Sequence, residues 1–337
     1  MTDSKLPAFI KGLMTDNSPL GPSVSLVQTH ISFVLIGDKE VLKIKKPVDF
    51  GFLDFTTLEK RRFFCREELR LNRRLCPDIY QDVVTIGVDD GRVNLAGLGE
   101  VVEYGVLMGK MDEAGMMGRL IAAGKVGRAE IDAIVDLLIP FYEKAATGGE
   151  INELGRAEAV AVNVIENFDQ TREMVGSGGL ERDRFDRLEA WSRDFLAKSE
   201  LFDARVAAGK VREGHGDLYS ANICIESLDR IHIFDCIEFN QRFRCCDVAS
   251  DIAFLAMDLD FHGLNELSDY LLSSFAEKSG DPGLLEMAAF YKVYRAYVRG
   301  KIGLFTAGAP EVDAATRESA LSGAGRYFEL AEGYINA

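Results

Sequence analysis

Three oxygen-bearing side chains, those of Asp217, Asn222 and Asp235, have an order and a spacing that suit metal-assisted chemistry on a phosphate. Asn222 stands five residues after Asp217, and Asp235 directly follows the run 231–234. Phosphoryl transfer requires a carboxylate that orients the attacking hydroxyl, and hard oxygen ligands that hold Mg²⁺ against the phosphates. We therefore predict Asp217 as the catalytic base and Asn222 and Asp235 as metal ligands. The alternative is that Asp217 caps a turn and Asn222 is a left-handed loop residue, since both residue types are common in loops.

A longer stretch around these residues resembles a known superfamily. Residues 215–253, HGDLYSANICIESLDRIHIFDCIEFNQRFRCCDVASDIA, are similar to the signature region of aminoglycoside phosphotransferases, choline kinases and their bacterial relatives. Residues 29–80 and 290–301 resemble a set of uncharacterised bacterial proteins within that group, some of which carry an additional ATPase domain. The resemblance spans nearly the whole chain. It implies a protein-kinase-like fold and a site for ATP and Mg²⁺, and it leaves the acceptor substrate open.

The pattern of apolar residues predicts the elements that position these groups. Two β-rich runs, 32–36 and 40–45, are joined by a turn at 37–39, and Thr56 with Glu59 reads as a capping box that opens a helix. Further strands are predicted at 83–88 and 101–108, and helices at 131–145, 182–197, 252–258 and 284–299. We expect an α+β, protein-kinase-like two-lobed fold. Its small β-rich N-lobe would cover 1–110 and its larger helical C-lobe 111–337.

Lys43 is the candidate for binding the phosphates of the nucleotide. In a strand, Lys43 lies on the face opposite to Leu42 and Ile44, so those apolar residues anchor the strand while the lysine points to the site. Kinase-type sites pair this lysine with a helix glutamate, and the positions of the leucines that follow favour Glu68 over Glu67. The alternative is that these charges form a solvated strand end and helix face.

The remaining nucleotide contacts are expected from a loop and a hinge. The loop 28–31 contains no Gly-x-Gly, so the phosphates would be bound there by backbone N–H groups and by the hydroxyls of Thr29 or Ser32. The adenine is expected at a hinge near 107–110, where Met108 would contribute an apolar side chain.

The resemblance also implies supporting roles for three residues near the loop. His215 would support the backbone of the catalytic loop, and Glu238 would be an auxiliary site residue. Asp247 is more simply a helix N-cap, with Asp251 in the first turn, and the two could brace the catalytic loop.

Composition and charge narrow the range of partners. The chain has 337 residues, 47% hydrophobic and 28% charged, which is ordinary for a globular protein. Its net charge of −15, with short basic runs only at 43–46 and 60–62, argues against nucleic acid and favours a cationic substrate. No stretch approaches the about 18 apolar residues of a membrane helix. The N-terminus lacks the layout of a signal peptide, so we expect a cytoplasmic protein with no membrane partner.

Three functions remain open at this point. The first is a kinase that phosphorylates a hydroxyl of an amino sugar, an amino alcohol or a sugar. The second is a nucleotide-binding regulatory module without turnover, which the Gly-poor loop at 28–31 favours. The third is a protein kinase, which is disfavoured because no Asp-Phe-Gly triplet follows the catalytic loop.

Overall fold

The computed structural model describes residues 6–310 and 312–336. These residues divide into two compact units. A β-rich unit comprises the described residues up to Met116 together with Cys224–Asn240, and a helical unit comprises Met117–Ile223 and the described residues from Gln241 onward.

The strands are mostly in the first half of the chain. In chain order they are β1 Ser25–Gln28, β2 Ser32–Ile36, β3 Glu40–Lys45, β4 Tyr80–Asp89, β5 Arg92–Asn94, β6 Glu100–Gly109, β7 Val211–Glu213, β8 Ile223–Ser227, β9 Arg230–Ile233 and β10 Cys245–Asp247.

The helices are mostly in the second half. In chain order they are α1 Ala8–Gly12, α2 Leu58–Asn72, α3 Met117–Ala122, α4 Arg128–Lys144, α5 Gly149–Glu153, α6 Ala157–Thr171, α7 Arg182–Leu196, α8 Ser199–Ala207, α9 Gln241–Arg244, α10 Val248–Phe261, α11 Asn265–Lys278, α12 Gly283–Gly308 and α13 Ala314–Asn336.

The β-rich unit contains a six-stranded sheet in the order β1-β2-β3-β6-β4-β5, in which every neighbouring pair is antiparallel. β2 and β3 have the predicted bounds, and Leu35, Leu42 and Ile44 are fully buried in one apolar cluster beneath them. The turn between the two strands brings Gly37 against the backbone, where an added Cβ would lie 2.2 Å from the carbonyl oxygen of Leu20. Because side chains alternate along β3 and Leu42 and Ile44 lie in the apolar cluster, Lys43 and Lys45 lie on the opposite face of the strand.

Helix α2 packs on β6 and β4 and begins one residue later than the capping box predicted. Thr57 is the N-cap, and its hydroxyl accepts the backbone N–H of Lys60 at 3.2 Å. Thr56 is instead bound by Asp54, which accepts both its N–H and its hydroxyl hydrogen. The prediction of Thr56 as the N-cap was wrong, because Asp54 binds Thr56 in the turn before the helix and Thr57 caps the helix instead.

The helical unit is built around α10 and α12. α12 packs against α10 and α13, and α11 packs against α4 and α10. α10 is buried along most of its length and is longer than the predicted 252–258, because a helix that is apolar on all sides lacks a clear periodic boundary. A short antiparallel pair, β7 with β10, lies in the same unit. No helix in the described part of the chain combines the length and apolar character needed to cross a membrane.

Candidate active site

Two lysines of β3 share one glutamate of α2. The Nζ atom of Lys43 is 2.8 Å from Oε1 of Glu68, and that of Lys45 is 2.7 Å from Oε2. Both lysines reach the same carboxylate because they lie two residues apart on one face of the strand. Glu68 is fully buried, whereas Glu67 forms an ion pair with Arg70 on the outer side of α2.

The segment that follows β9 supplies two further carboxylates to this group. Lys43 Nζ lies 2.5 Å from Oδ1 of Asp235, and Lys45 forms an ion pair with Glu238. The side chain of Asp235 is 46% exposed, whereas Glu238 is buried. Asp235 has a backbone φ of 63°, in the left-handed region that non-glycine residues seldom adopt. The backbone next to it is held by Asn72, whose Oδ1 accepts the N–H of Cys236 at 2.9 Å.

Attraction between opposite charges keeps Lys43, Lys45 and Glu68 charged at neutral pH, whereas burial raises the pKa of Glu238 against the attraction of Lys45. Burial by itself raises the pKa of Glu68, but Lys43 and Lys45 lower it to about 2. Burial by itself lowers the pKa of Lys45, but Glu238 and Glu68 raise it above its ordinary value. The pKa of Lys43 is raised in the same way by Asp235 and Glu68 against the effect of burial. Lys43 is a cation because its pKa is raised, and 15% of its side chain is exposed, so solvent reaches it.

The loop that carries Asp217 is held through its backbone. Asp251 of α10, which is fully buried, accepts the N–H of His215 at 2.7 Å and that of Gly216 at 2.9 Å. Arg295 of α12 donates to the carbonyl oxygen of Gly216 at 2.8 Å. Gly216 has a φ of 86°, which explains why glycine stands there. The loop conformation is therefore set by two helices of the same unit.

Asp217 and Asn222 are hydrogen-bonded to each other within this loop. The Nδ2 atom of Asn222 donates to the carbonyl oxygen and to Oδ2 of Asp217, both at 2.9 Å. His215 is buried, and its Nδ1 atom accepts the N–H of Asp217 at 3.2 Å. An accepting Nδ1 means that this nitrogen carries no proton, which suits a residue that supports the backbone. The other polar atom of the Asn222 side chain, Oδ1, is an oxygen of the kind that can ligate a cation.

Asp247 stabilises the start of helix α10. It is the N-cap of α10 and accepts the N–H of Ala249 at 2.9 Å. Its carboxylate also receives two hydrogen bonds from Arg205, at 2.7 and 2.8 Å. Of the two acids expected to brace the catalytic loop, Asp251 contacts its backbone, while Asp247 fixes the start of the helix that carries Asp251.

The residues predicted for the phosphate loop and the hinge lie in the β-rich unit. The hydroxyl of Thr29 accepts the N–H of Ser32 at 2.9 Å and that of Ile31 at 3.3 Å, so it holds the turn between β1 and β2. Ser32 is fully buried, and its Oγ has no hydrogen-bond partner among the described residues. Met108 pairs with Val41 and Tyr80 on the neighbouring strands and packs against the apolar cluster under α2.

Three residues of these groups were not predicted from the sequence. Lys45 lies on the Lys43 face of β3, so the alternation already indicated it. Asp258, seven residues after Asp251 on α10, accepts the N–H of Ser220 at 2.9 Å, and that spacing could have identified it. Arg295 carries no local signal beyond its place in the stretch 290–301.

The β-rich unit fits a nucleotide and a metal ion by the chemistry of its exposed groups. Within the charged group of Lys43, Lys45, Glu68, Asp235 and Glu238, the ammonium of Lys43 and the half-exposed carboxylate of Asp235 are the groups that reach the surface. Within residues 6–310 and 312–336, no three His, Cys, Asp or Glu side chains come together closely enough to hold a metal by themselves. Mg²⁺ is usually bound by one or two protein oxygens together with substrate phosphates and water, so the half-exposed carboxylate of Asp235 suits the part that a protein contributes to such a site.

Sequence comparisons find one matching group of proteins and no family model. No family model matches the sequence. An uncharacterised protein of Mycobacterium tuberculosis H37Rv is 33% identical over 299 residues, which are 87% of this chain and 57% of that protein. The chain therefore spans little more than half the length of this relative.

Solved structures of small-molecule phosphotransferases resemble the whole chain. An aminoglycoside phosphotransferase in complex with GDP and kanamycin has a TM-score of 0.53 at 14% identity and covers 97% of this chain and 98% of its own. An ethanolamine kinase of Plasmodium vivax has a TM-score of 0.49 at 12% identity and covers 90% of this chain and 81% of its own. The likeness to the aminoglycoside phosphotransferase shows that the chain has a kinase-like α+β fold, which confirms the fold predicted from the sequence.

Proposed function

We propose that this chain is an ATP-dependent phosphotransferase that transfers the γ-phosphate to a hydroxyl of a small molecule. The observation that carries the proposal is the contact of Lys43 with both Glu68 and Asp235. A lysine held by a buried helix glutamate beside an exposed aspartate is the arrangement that kinase-like enzymes use for nucleotide phosphates and metal. The kinase-like fold and the Asp217–Asn222 pair in the helical unit support the same conclusion.

Each residue then has a defined task. Lys43 binds the phosphates, and Glu68 keeps its ammonium charged and oriented. Asp235 of the β-rich unit and Asn222 of the helical unit each carry a side-chain oxygen that would ligate Mg²⁺, and the ion would supply positive charge against the phosphates. Asp217 accepts the proton of the acceptor hydroxyl as the acceptor oxygen bonds to the γ-phosphorus and the bond to the leaving ADP oxygen breaks.

The acceptor classes that follow from the resemblance are amino sugars, amino alcohols and sugars. The solved phosphotransferase that shares the fold was captured with kanamycin, an aminoglycoside. The net charge of −15 favours acceptors that carry positive charge, because an acidic surface raises their local concentration.

A second candidate is a nucleotide-binding module without turnover. The hydroxyl of Thr29 accepts two backbone N–H groups and donates its hydrogen to the carbonyl oxygen of Ser32, so the Gly-poor loop offers few side-chain donors to phosphates. Such a module has no chemical need for Asp217, whereas an enzyme does.

Three measurements on the purified chain separate these functions. Calorimetric titration with ATP, with and without Mg²⁺, tests the nucleotide site, and we expect binding that depends on the metal. Release of ADP in the presence of a panel of amino sugars, amino alcohols and sugars tests transfer. Slow ATP hydrolysis without acceptor is expected too, since water can replace the hydroxyl, and Lys43→Ala should lower it sharply.

Two outcomes would count against an enzyme. Equal ATP affinity with and without metal would contradict the assigned ligands Asn222 and Asp235. Tight binding of Mg·ATP without phosphate release above an Asp217→Asn control, and without transfer to any acceptor, would favour the regulatory module.

A further inference from the structure

The ion pair of Lys45 with Glu238 is not used by the phosphate chemistry described above. Both side chains are buried, with 1% and 5% of their surface exposed, so neither is placed to bind a ligand directly. Lys45 also contacts Glu68 and lies 4.8 Å from the centre of the Phe55 ring. Burying charges costs desolvation energy that their attraction often does not recover, so stability alone is a weak reason for such a pair.

The two lysines of β3 form parallel links between the same two parts of the chain. Lys43 joins Glu68 of α2 to Asp235, and Lys45 joins Glu68 to Glu238. The segment after β9 is thus attached to β3 at two points, three residues apart. One link ends on the half-exposed Asp235, and the other ends on the buried Glu238.

A nucleotide and a metal ion would compete for one of the two links. The phosphates would attract the ammonium of Lys43, and the metal ion would attract the carboxylate of Asp235, so both would weaken the contact of Lys43 Nζ with Oδ1 of Asp235. Asp235 also has a left-handed backbone, which persists only where its surroundings hold it. The Lys45–Glu238 link ends three residues away from Asp235 and does not use the Asp235 carboxylate.

We propose that Lys45 and Glu238 are positioning residues that hold the Asp235 segment in place while Lys43 changes partner from Asp235 to the nucleotide phosphates. The inference rests on the proposed function. It assigns Glu238 to the anchoring of a metal ligand and not to the metal itself.

The test compares metal dependence with stability. In Lys45→Met and Glu238→Gln, we expect the Mg²⁺ concentration that gives half-maximal ATP binding to rise about tenfold or more, as for other residues that support metal ligands. ATP binding in the presence of EDTA should change far less, because Lys43 and Glu68 remain. The Lys45→Met/Glu238→Gln double variant leaves no unpaired charge on either side of this link. It should be better folded than Lys45→Met and still require more Mg²⁺.

A matched control exists in the same unit. Arg61 and Glu103 form a buried ion pair of 2.8 Å, with 9% and 5% of their side chains exposed. Among the described residues, Arg61 also donates to the carbonyl oxygens of Phe55 and Thr56, and neither partner forms an ion pair with the segment after β9. Arg61→Met should lower the melting temperature as Lys45→Met does but leave the Mg²⁺ requirement unchanged. Lys45→Arg, which keeps the charge, should recover part of the metal affinity.

The outcomes separate this inference from the proposed function. If the unmutated chain binds ATP without regard to Mg²⁺, the proposed function fails and this inference fails with it. If the unmutated chain depends on Mg²⁺ but the folded Glu238→Gln and double variants need no more metal than Arg61→Met, the inference alone is overturned.

Discussion

The charged group of the β-rich unit and the Asp217 loop of the helical unit are held by different kinds of contact. In the first, Lys43, Lys45, Glu68, Asp235 and Glu238 hold one another, side chain to side chain. In the second, buried carboxylates accept backbone N–H groups of the loop, so the peptide itself is fixed. An ion pair can exchange one partner for another of like charge, whereas a backbone hydrogen bond holds one conformation.

This difference matches the tasks proposed for the two regions. A nucleotide and a metal ion would compete for the contact between Lys43 and Asp235, so an exchangeable link suits these two residues. Asp217 must present its carboxylate to a hydroxyl in one orientation, so a fixed loop suits it. The following predictions test whether the two regions respond to mutation in these different ways.

The largest loss of activity is expected from a substitution at Asp217. Replacing it by Asn removes the base but keeps the shape of the side chain, so acceptor-dependent ADP release should fall by about 10²- to 10⁴-fold. ATP affinity measured by calorimetry should change little. Asp229→Asn, an exposed Asp in the turn between β8 and β9, is the control and should retain normal turnover. Undiminished turnover in Asp217→Asn on the true acceptor would remove Asp217 from the mechanism.

A smaller effect is expected at Asp251, which fixes the loop without taking part in chemistry. Asp251→Asn replaces a buried carboxylate that accepts two backbone N–H groups and the hydroxyl of Tyr142. Hydrogen bonds to charged groups contribute about 1.5–3 kcal/mol, so the free energy of unfolding should fall by about that amount. Urea denaturation measures it, with the exposed Asp269→Asn as control. A change equal to that of Asp269→Asn would mean that the loop does not depend on this carboxylate.

The charged group should make stability sensitive to acid. Because Lys43 and Lys45 lower the pKa of Glu68 to about 2, its contribution is complete above its ordinary pKa near 4.5 and is lost as the pH falls toward 2. The unmutated chain should therefore lose unfolding free energy across that interval. Glu68→Gln should be less stable at pH 7 and show a shallower loss. Parallel pH profiles from urea denaturation would show that Glu68 does not titrate in this way.

The smallest effect is expected at the neighbouring Glu67. Its ion pair with Arg70 is exposed and lies within one turn of α2, so Glu67→Gln should cost less than about 0.5 kcal/mol. Mg²⁺-dependent ATP binding should be unchanged. A loss of ATP binding comparable to that of Glu68→Gln would indicate that the glutamate at 67, and not the one at 68, serves the lysines.

Much of this organisation follows from local patterns. The alternation of residues 40–45 indicated a strand with lysines on one face, and the start of β3 and its end agree with the prediction. The helices α4 and α7 lie within three residues of their predicted bounds, because amphipathic patterns reveal surface helices. The start of α2 was misplaced, since Thr56 and Thr57 compete for one capping position and Asp54 decides between them.

The sequence by itself determined the fold class, the candidate base and metal ligands, and the preference for Glu68 over Glu67. The kinase-like fold was implied by the family resemblance, whereas the base, the metal ligands and the glutamate were inferred from periodicity and spacing, which are properties of the sequence alone. Only the tertiary structure decided that Lys45 shares Glu68 with Lys43 and that Glu238 is held by Lys45, 193 positions away along the chain. It also decided that Arg295 fixes Gly216 and that the hydroxyl of Ser32 is buried. Such contacts join residues far apart in the chain, and packing of whole elements, not local propensity, brings them together.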